Sequence, residues 1–152
     1  MQYLVDTGVW LRLFDRTDAE HHAIRTAILQ IRANGDSLAA SPQIIAEFWN
    51  VSTRPKSARG GYGNSVATTE RRVQFIERFA TVLDDSLAAY GRWRQLLTQQ
   101  QIQGTSVHDA RLVALMDVNG VTRILTLNAA DFKRYSQVTI LTPTAVVAGT
   151  GP

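Results

Sequence analysis

The sequence predicts an α/β fold with a central parallel sheet covered by helices on both faces. Short apolar runs alternate with segments of helical periodicity, the pattern of strand–helix–strand units. There is no internal repeat and no low-complexity linker, and 152 residues suffice for one domain with a proper core, so positions 1–152 read as a single domain. Crossovers between the strands are then expected to be right-handed.

The elements follow in order. Gln2 to Val5 is a short buried strand that ends in a turn at Asp6-Thr7-Gly8, and Val9, Trp10, Leu13 and Phe14 then recur at helical spacing. Asp18 is placed to cap a second helix, with Ala23, Ile24, Ala27, Ile28 and Ile31 on its inner face and Asn34-Gly35 at its end. Ser37 to Ala40 is a second strand. Ser41-Pro42 supplies the N-cap and first-position proline of a third helix running through Ile44, Ile45, Phe48 and Trp49. The pattern dissolves from Thr53 to Ser65, where Arg54-Pro55-Lys56 and Gly60-Gly61-Tyr62-Gly63 form one long irregular loop. Helical spacing returns with Val73, Phe75, Ile76 and Phe79. Thr81 to Leu83 is a strand, and Asp85-Ser86 leads into a helix containing Leu87, Tyr90, Trp93 and Leu97. After a loop at 104–107, His108 to Asn119 is helical, with Ala110, Val113, Ala114 and Val118 inward. Val121 to Thr126 and Val138 to Leu141 complete the strands.

Composition narrows the function classes. Hydrophobic residues at 45% and charged residues at 19% suit an ordinary globular protein and disfavour disorder. The absence of cysteine excludes disulfides and thiolate metal sites and fits a reducing, cytoplasmic setting. Asp6 interrupts the N-terminal apolar stretch and no basic region precedes it, so no signal peptide is expected; no apolar run is long enough for a membrane span. A net charge of +3 favours contact with polyanions.

The chemistry lies in acidic residues. In open parallel sheets, functional groups gather beyond the C-terminal strand ends. Asp6 ends the first strand, Asn128 and Asp131 follow the strand ending near Thr126, Asp109 opens a helix, and Glu47 sits one and a half turns into another. Converging carboxylates repel one another unless a cation joins them. With no cysteine and three histidines, the ion expected is Mg²⁺ or Mn²⁺, which suits water attack on a phosphodiester.

Four segments then carry a resemblance. Val5-Asp6-Thr7-Gly8-Val9-Trp10, Ser41-Pro42-Gln43-Ile44-Ile45-Ala46-Glu47-Phe48, His108-Asp109-Ala110-Arg111-Leu112-Val113-Ala114 and Ile124-Leu125-Thr126-Leu127-Asn128-Ala129-Ala130-Asp131-Phe132 stand in the order of the PIN-domain family. The chain resembles in particular the VapC-type toxins of bacterial toxin–antitoxin pairs, over essentially its whole length. The resemblance implies a PIN-like three-layer α/β/α sandwich. It also implies a Mg²⁺- or Mn²⁺-dependent endoribonuclease, restrained by a cognate antitoxin and often homodimeric. By position, Asp6, Glu47 and Asp109 match the family's metal-binding carboxylates. Asn128 stands where many relatives have an aspartate, so the pocket is completed by Asn128 and Asp131 with one formal charge fewer.

Each candidate also has a structural reading. Thr7 is a site hydroxyl or a helix cap, Thr126 a site hydroxyl or a strand-end residue, and Asp131 a site acid or a turn cap. His108 is a general base or, more readily, a structural histidine; His21 and His22 read as solvated. Trp10, Trp49 and Trp93 fall on apolar helix faces and belong to a core or a dimer interface. Arg54, Lys56 and Arg59, with Arg71 and Arg72 beyond, form an RNA-backbone clamp with Tyr62 available to stack a base, or a solvated mobile loop. A HAD-like phosphatase needs a second acid where Gly8 stands, and a response-regulator receiver needs an N-terminal acidic pair that is lacking. A housekeeping PIN nuclease, one preferring single-stranded DNA, and a degenerate PIN module that binds RNA or a protein without cutting remain alternatives.

Overall fold

Five short strands form one wholly parallel sheet in the computed structural model, which describes residues 1–150. They are β1 (Gln2–Val5), β2 (Ser37–Ala40), β3 (Ala80–Val82), β4 (Arg123–Leu125) and β5 (Thr139–Leu141), in the spatial order β3-β2-β1-β4-β5. Between them run α1 (Thr7–Leu13), α2 (His21–Ala33), α3 (Pro42–Thr53), α4 (Val66–Phe79), α5 (Leu87–Gln99), α6 (Ser106–Val118) and α7 (Ala129–Phe132), with α8 (Pro143–Val147) after the last strand. The helices pack as two groups, α1–α4 with α8 and α5–α7, giving three layers. The apolar strand centres and inner helix faces meet in one core. Leu4, Trp10, Ile24, Leu38, Ile44 and Phe48 are among its fully buried side chains.

The order of strands creates the feature that matters for function. The chain winds outward from β1 to β3, then returns to place β4 on the other side of β1. The switch therefore falls between β1 and β4, whose register pairs Val5 with Leu125. The backbone N–H of Asp6 donates to the Leu125 carbonyl at 3.0 Å, so the residues that follow the two strands leave the sheet side by side. A crevice opens beyond strand ends at such a reversal.

Several boundaries differ from the sequence reading, for local reasons. Thr7 and Gly8 are not a turn: α1 begins at once, because Asp6 is itself the N-cap. Asp18 does not cap α2 but accepts from the Glu20 N–H at 2.8 Å in the turn before it. Helix α6 starts at Ser106 rather than His108, and Val118, at its last turn, is 39% exposed instead of inward. The strand pairing of β4 is shorter than Val121 to Thr126, since the Val121 N–H closes the end of α6 on the Met116 carbonyl. The unanticipated α8 uses the device seen at Ser41-Pro42, with Thr142 capping and Pro143 first.

Candidate functional site

Asp6 stands where β1 and β4 end side by side, and its two oxygens are held separately. Oδ1 accepts from the Thr7 N–H at 2.7 Å, which caps α1, and Oδ2 accepts from the Thr126 hydroxyl at 2.6 Å. Thr126 is fully buried, and its Oγ1 also accepts from the Asn128 N–H at 3.0 Å. The hydroxyl thus ties the exit of β4 to the exit of β1. Thr7, itself buried, donates its hydroxyl to Glu47 Oε2 at 2.9 Å. Both threonines are engaged with carboxylates, and neither caps a helix with its side chain.

Glu47 reaches the same place from α3. The Ser41 hydroxyl accepts from the Ile44 N–H at 3.0 Å and starts the helix, which sets the turn on which Glu47 faces α1. Its other oxygen, Oε1, accepts from Gln43 Nε2 at 2.9 Å, and that amide also donates to the His108 carbonyl at 3.2 Å. Gln43 therefore couples Glu47 to the first turn of α6, the turn that carries Asp109. The sequence reading overlooked it. The spacing of four residues on one helix face was the available signal.

Electrostatics shows how closely the acids converge. Burial pushes the Asp109 carboxyl up to about 6, and the negative charges of Asp131, Asp6 and Glu47 add to it, against a small opposing effect of His108. Asp6 is raised too, first by burial. Hydrogen bonds from Thr126 and Thr7 oppose the rise, while the charges of Glu47 and Asp131 reinforce it. Among the described residues no basic side chain pairs with any of these four acids; the ion pairs present involve Asp18, Asp36, Asp85 and Asp117. The structure thus gathers Asp6, Glu47, Asp109 and Asp131 within mutual electrostatic reach. It does not close them into a cage: among the described residues no three acidic or histidine side chains stand close enough to hold a metal ion as they are. The donor set is nonetheless all oxygen and uncompensated, which fits a hard divalent cation once side chains draw in. Asn128 occupies the N-cap position of α7, with its side chain exposed and making no capping bond.

The other sequence-predicted residues lie elsewhere. The loop after α3 is built on the far end of that helix from Ser41. Arg54 donates to the Arg59 carbonyl at 2.7 Å, and the Tyr62, Gly63 and Asn64 N–H groups return to Val51, Arg54 and Ser52 carbonyls. The loop is braced rather than loose. Lys56 and Tyr62 line, with Arg72 and Asp15, a separate cleft of about 570 Å³. His21 is half-buried against the Arg12 carbonyl at 3.1 Å, unlike exposed His22. His108 is exposed. Trp10 is wholly buried, while Trp49 and Trp93 are half-buried.

The sequence matches the model of the PIN domain over residues 3–138. The chain belongs to the PIN domain family. No curated protein sequence matches it. Among solved structures, VapBC2 from Rickettsia felis bound to a DNA fragment from its promoter is similar to this PIN domain with a TM-score of 0.65 at 17% identity, over 93% of this chain and 98% of the other. A toxin–antitoxin complex from Klebsiella pneumoniae gives 0.63 at 18% identity, over 93% and 97%. VapC20 from Mycobacterium tuberculosis, a toxin that cleaves the sarcin–ricin loop, gives 0.52 at 18%, over 80% and 86%. At these identities the likeness is one of fold. Among the described residues, no helix is long and apolar enough to cross a membrane.

Proposed function

We propose that this PIN domain is a metal-dependent endoribonuclease and the toxin of a VapBC-type pair, with Asp6, Glu47 and Asp109 binding Mg²⁺ or Mn²⁺ and Asp131 and Asn128 completing the pocket. The observation that carries the reading is the convergence of four carboxylates that, among the described residues, have no ion-pair partner, at the switch point of the sheet. Carboxylates so placed cost the metal-free protein stability, which favours a functional purpose over a structural one. The folds of the similar toxin–antitoxin complexes support the antitoxin partner.

When bound, the ion would neutralise the acids, polarise the scissile phosphate and lower the pKa of the attacking water. The chain's own residues fix the geometry for it. Thr126 and the Thr7 N–H hold the Asp6 carboxylate in one orientation, and Thr7 and Gln43 do the same for Glu47. Asp109, raised to about 6 by burial and by its acidic neighbours, is the carboxyl a bound cation would relieve most. An antitoxin would silence such a pocket by placing an arginine among the acids.

The test is cleavage of a mixed RNA pool by antitoxin-free protein with Mg²⁺, with Mn²⁺ and with EDTA, alongside Asp6→Ala and Asp109→Ala. Metal-dependent cutting that both variants lack is the expected result, and growth arrest on expression without the antitoxin should accompany it. Equal cutting by the variants would sink the site assignment. A folded protein inert with every metal would favour the second reading, a PIN module that binds without cutting, to which the open spacing of the acids and the uncharged Asn128 lend support.

A further inference from the structure

One aromatic surface stands outside the acidic cluster, at the start of α6. Tyr90 and Trp93, one turn apart on α5, set their rings 6.0 Å apart at 54°. Tyr90 is 53% exposed, so its ring face is open to a ligand. The Trp93 indole donates Nε1–H to the Val107 carbonyl at 2.9 Å, which fixes the ring against the start of α6. These two rings, with Asp85, Val107, His108 and Arg111, line a recess of about 260 Å³. Arg111 and Asp85 meet across it at 2.6 Å. That pair leaves further guanidinium N–H donors and carboxylate lone pairs beside the rings.

The recess and the acids are linked through the start of α6. His108 lines the recess and directly precedes Asp109, and its carbonyl is held by the same Gln43 amide that binds Glu47. Gln43 thus joins a residue that lines the recess to one of the acids by two hydrogen bonds. The combination offered is an exposed aromatic ring with a second tilted against it, donors and acceptors at their edge, and a volume just below that of drug-sized pockets, which is about 300 Å³ and upward. It fits one unpaired nucleobase, which stacks on aromatic rings while its edge is hydrogen-bonded.

We infer that the Tyr90–Trp93 recess is a nucleobase-binding subsite that seats one unstacked base of single-stranded RNA next to the phosphodiester at the acids. The assignment rests on the proposed ribonuclease reading for its polymer and refines it by naming where substrate outside the scissile bond is gripped. Stacking by Tyr90 and Trp93 supplies affinity. His108, Arg111 and Asp85 read the base edge. Single-stranded or looped RNA is the substrate class, because a base within a duplex cannot reach the rings.

The decisive experiment separates binding from cutting. Fluorescence anisotropy of an end-labelled, mixed-sequence, single-stranded oligoribonucleotide is followed in EDTA with wild-type protein, Tyr90→Ala, Tyr90→Phe and Arg111→Ala, each checked for folding by circular dichroism and for mass by sedimentation. Loss of one stacked base corresponds to roughly 5- to 150-fold in affinity. Tyr90→Ala is expected to weaken binding at least about fivefold, Tyr90→Phe to retain it, and Arg111→Ala to change the ranking of four homopolymers. In metal-loaded protein, Tyr90→Ala should raise KM more than it lowers kcat. Equal binding by Tyr90→Ala and wild type, or no binding by either, overturns the subsite. So does a wild-type dimer that Tyr90→Ala makes monomeric, because the rings would then be covered by a second copy. Tyr90-dependent binding by a protein that never cuts would keep the subsite and defeat the nuclease. Cutting that is indifferent to Tyr90 would do the reverse.

Discussion

The hydroxyl of Thr126 is a small group on which the site's geometry turns. It donates to Asp6 Oδ2 and accepts from the Asn128 N–H, with no exposure to water that could substitute for either. Thr126→Val keeps the shape and removes both functions, leaving a buried carboxylate oxygen and a backbone donor short of a partner. The expected cost is about 1–3 kcal/mol in urea denaturation, while Thr126→Ser stays near wild type. A valine variant as stable as wild type would show that the bond contributes nothing. Asp109 poses the opposite case. Its folded-state pKa of about 6 exceeds the ordinary 3.8, so the folded protein holds the proton more tightly than the unfolded chain does. Ionising Asp109 therefore costs stability: nothing below pH 3.8, progressively more up to 6, and the full amount above it. Asp109→Asn should raise the Tm of metal-free protein at pH 7 by roughly 1–3 °C, allowing for solvent screening of a partly exposed group. That gain should vanish near pH 4, and RNA cleavage should be lost at every pH. A gain that persists unchanged at pH 4 would point to some cause other than the charge.

At the scale of elements, what the sequence disclosed depended on whether the signal was local. Ser41-Pro42 announces α3 by itself, and Gln2 to Val5 and Ser37 to Ala40 were read with the bounds they have in the sheet, because each is a short apolar run ending at polar residues. Helix α6 was harder. Ala110 and the run Leu112 to Met116 are buried almost all round, so there is little amphipathic stripe to locate its ends. The loop after α3 was the least legible, since its order comes from backbone bonds that residue types do not reveal. Gly61 explains part of it. A Cβ there would run into the carbonyl oxygens of Arg54 and Pro55, backbone atoms that cannot turn aside as a flexible side chain would. Gly61→Ala is expected to destabilise by roughly 2 kcal/mol or more. Hydrogen exchange should show the Tyr62, Gly63 and Asn64 amides losing protection before the core strands do. Protection at wild-type levels would mean that the loop shifts aside cheaply.

Across the whole molecule, the carboxylates come from stretches as far apart as positions 6 and 131, and only the reversal of strand order between β1 and β4 makes them neighbours. Asp6, Asp109 and Asp131 could be named as candidates because strand ends and helix starts mark where such a sheet gathers polar groups, and Glu47, inside a helix, only through the family resemblance. The threonine and glutamine bonds that orient those acids were not, because they join residues whose nearness the topology alone creates. The same topology gives the metal-free protein a definite imbalance. Four acids gather at one end of the sheet with no ion-pair partner among the described residues, so a cation that joins them should act as part of the fold. A ligand bound to the folded state alone stabilises by about 2.7 kcal/mol at a hundredfold excess over its Kd. For a chain of this size that corresponds to roughly 5–10 °C in Tm. Titrating Mn²⁺ or Mg²⁺ into metal-free protein should therefore raise the Tm progressively, with EDTA reversing it. Asp109→Ala, with a carboxylate removed, should begin from an equal or higher metal-free Tm and gain much less; Asp6→Ala, which also loses the α1 cap and the partner of Thr126, should begin lower and likewise gain much less. Ca²⁺, larger and satisfied by looser geometry, should give a smaller gain if the acids draw in around a compact ion. A wild-type Tm that ignores every divalent cation at millimolar concentration would mean that the acids never close on a metal, and the ribonuclease reading would lose its chemistry even though the fold and the family stood.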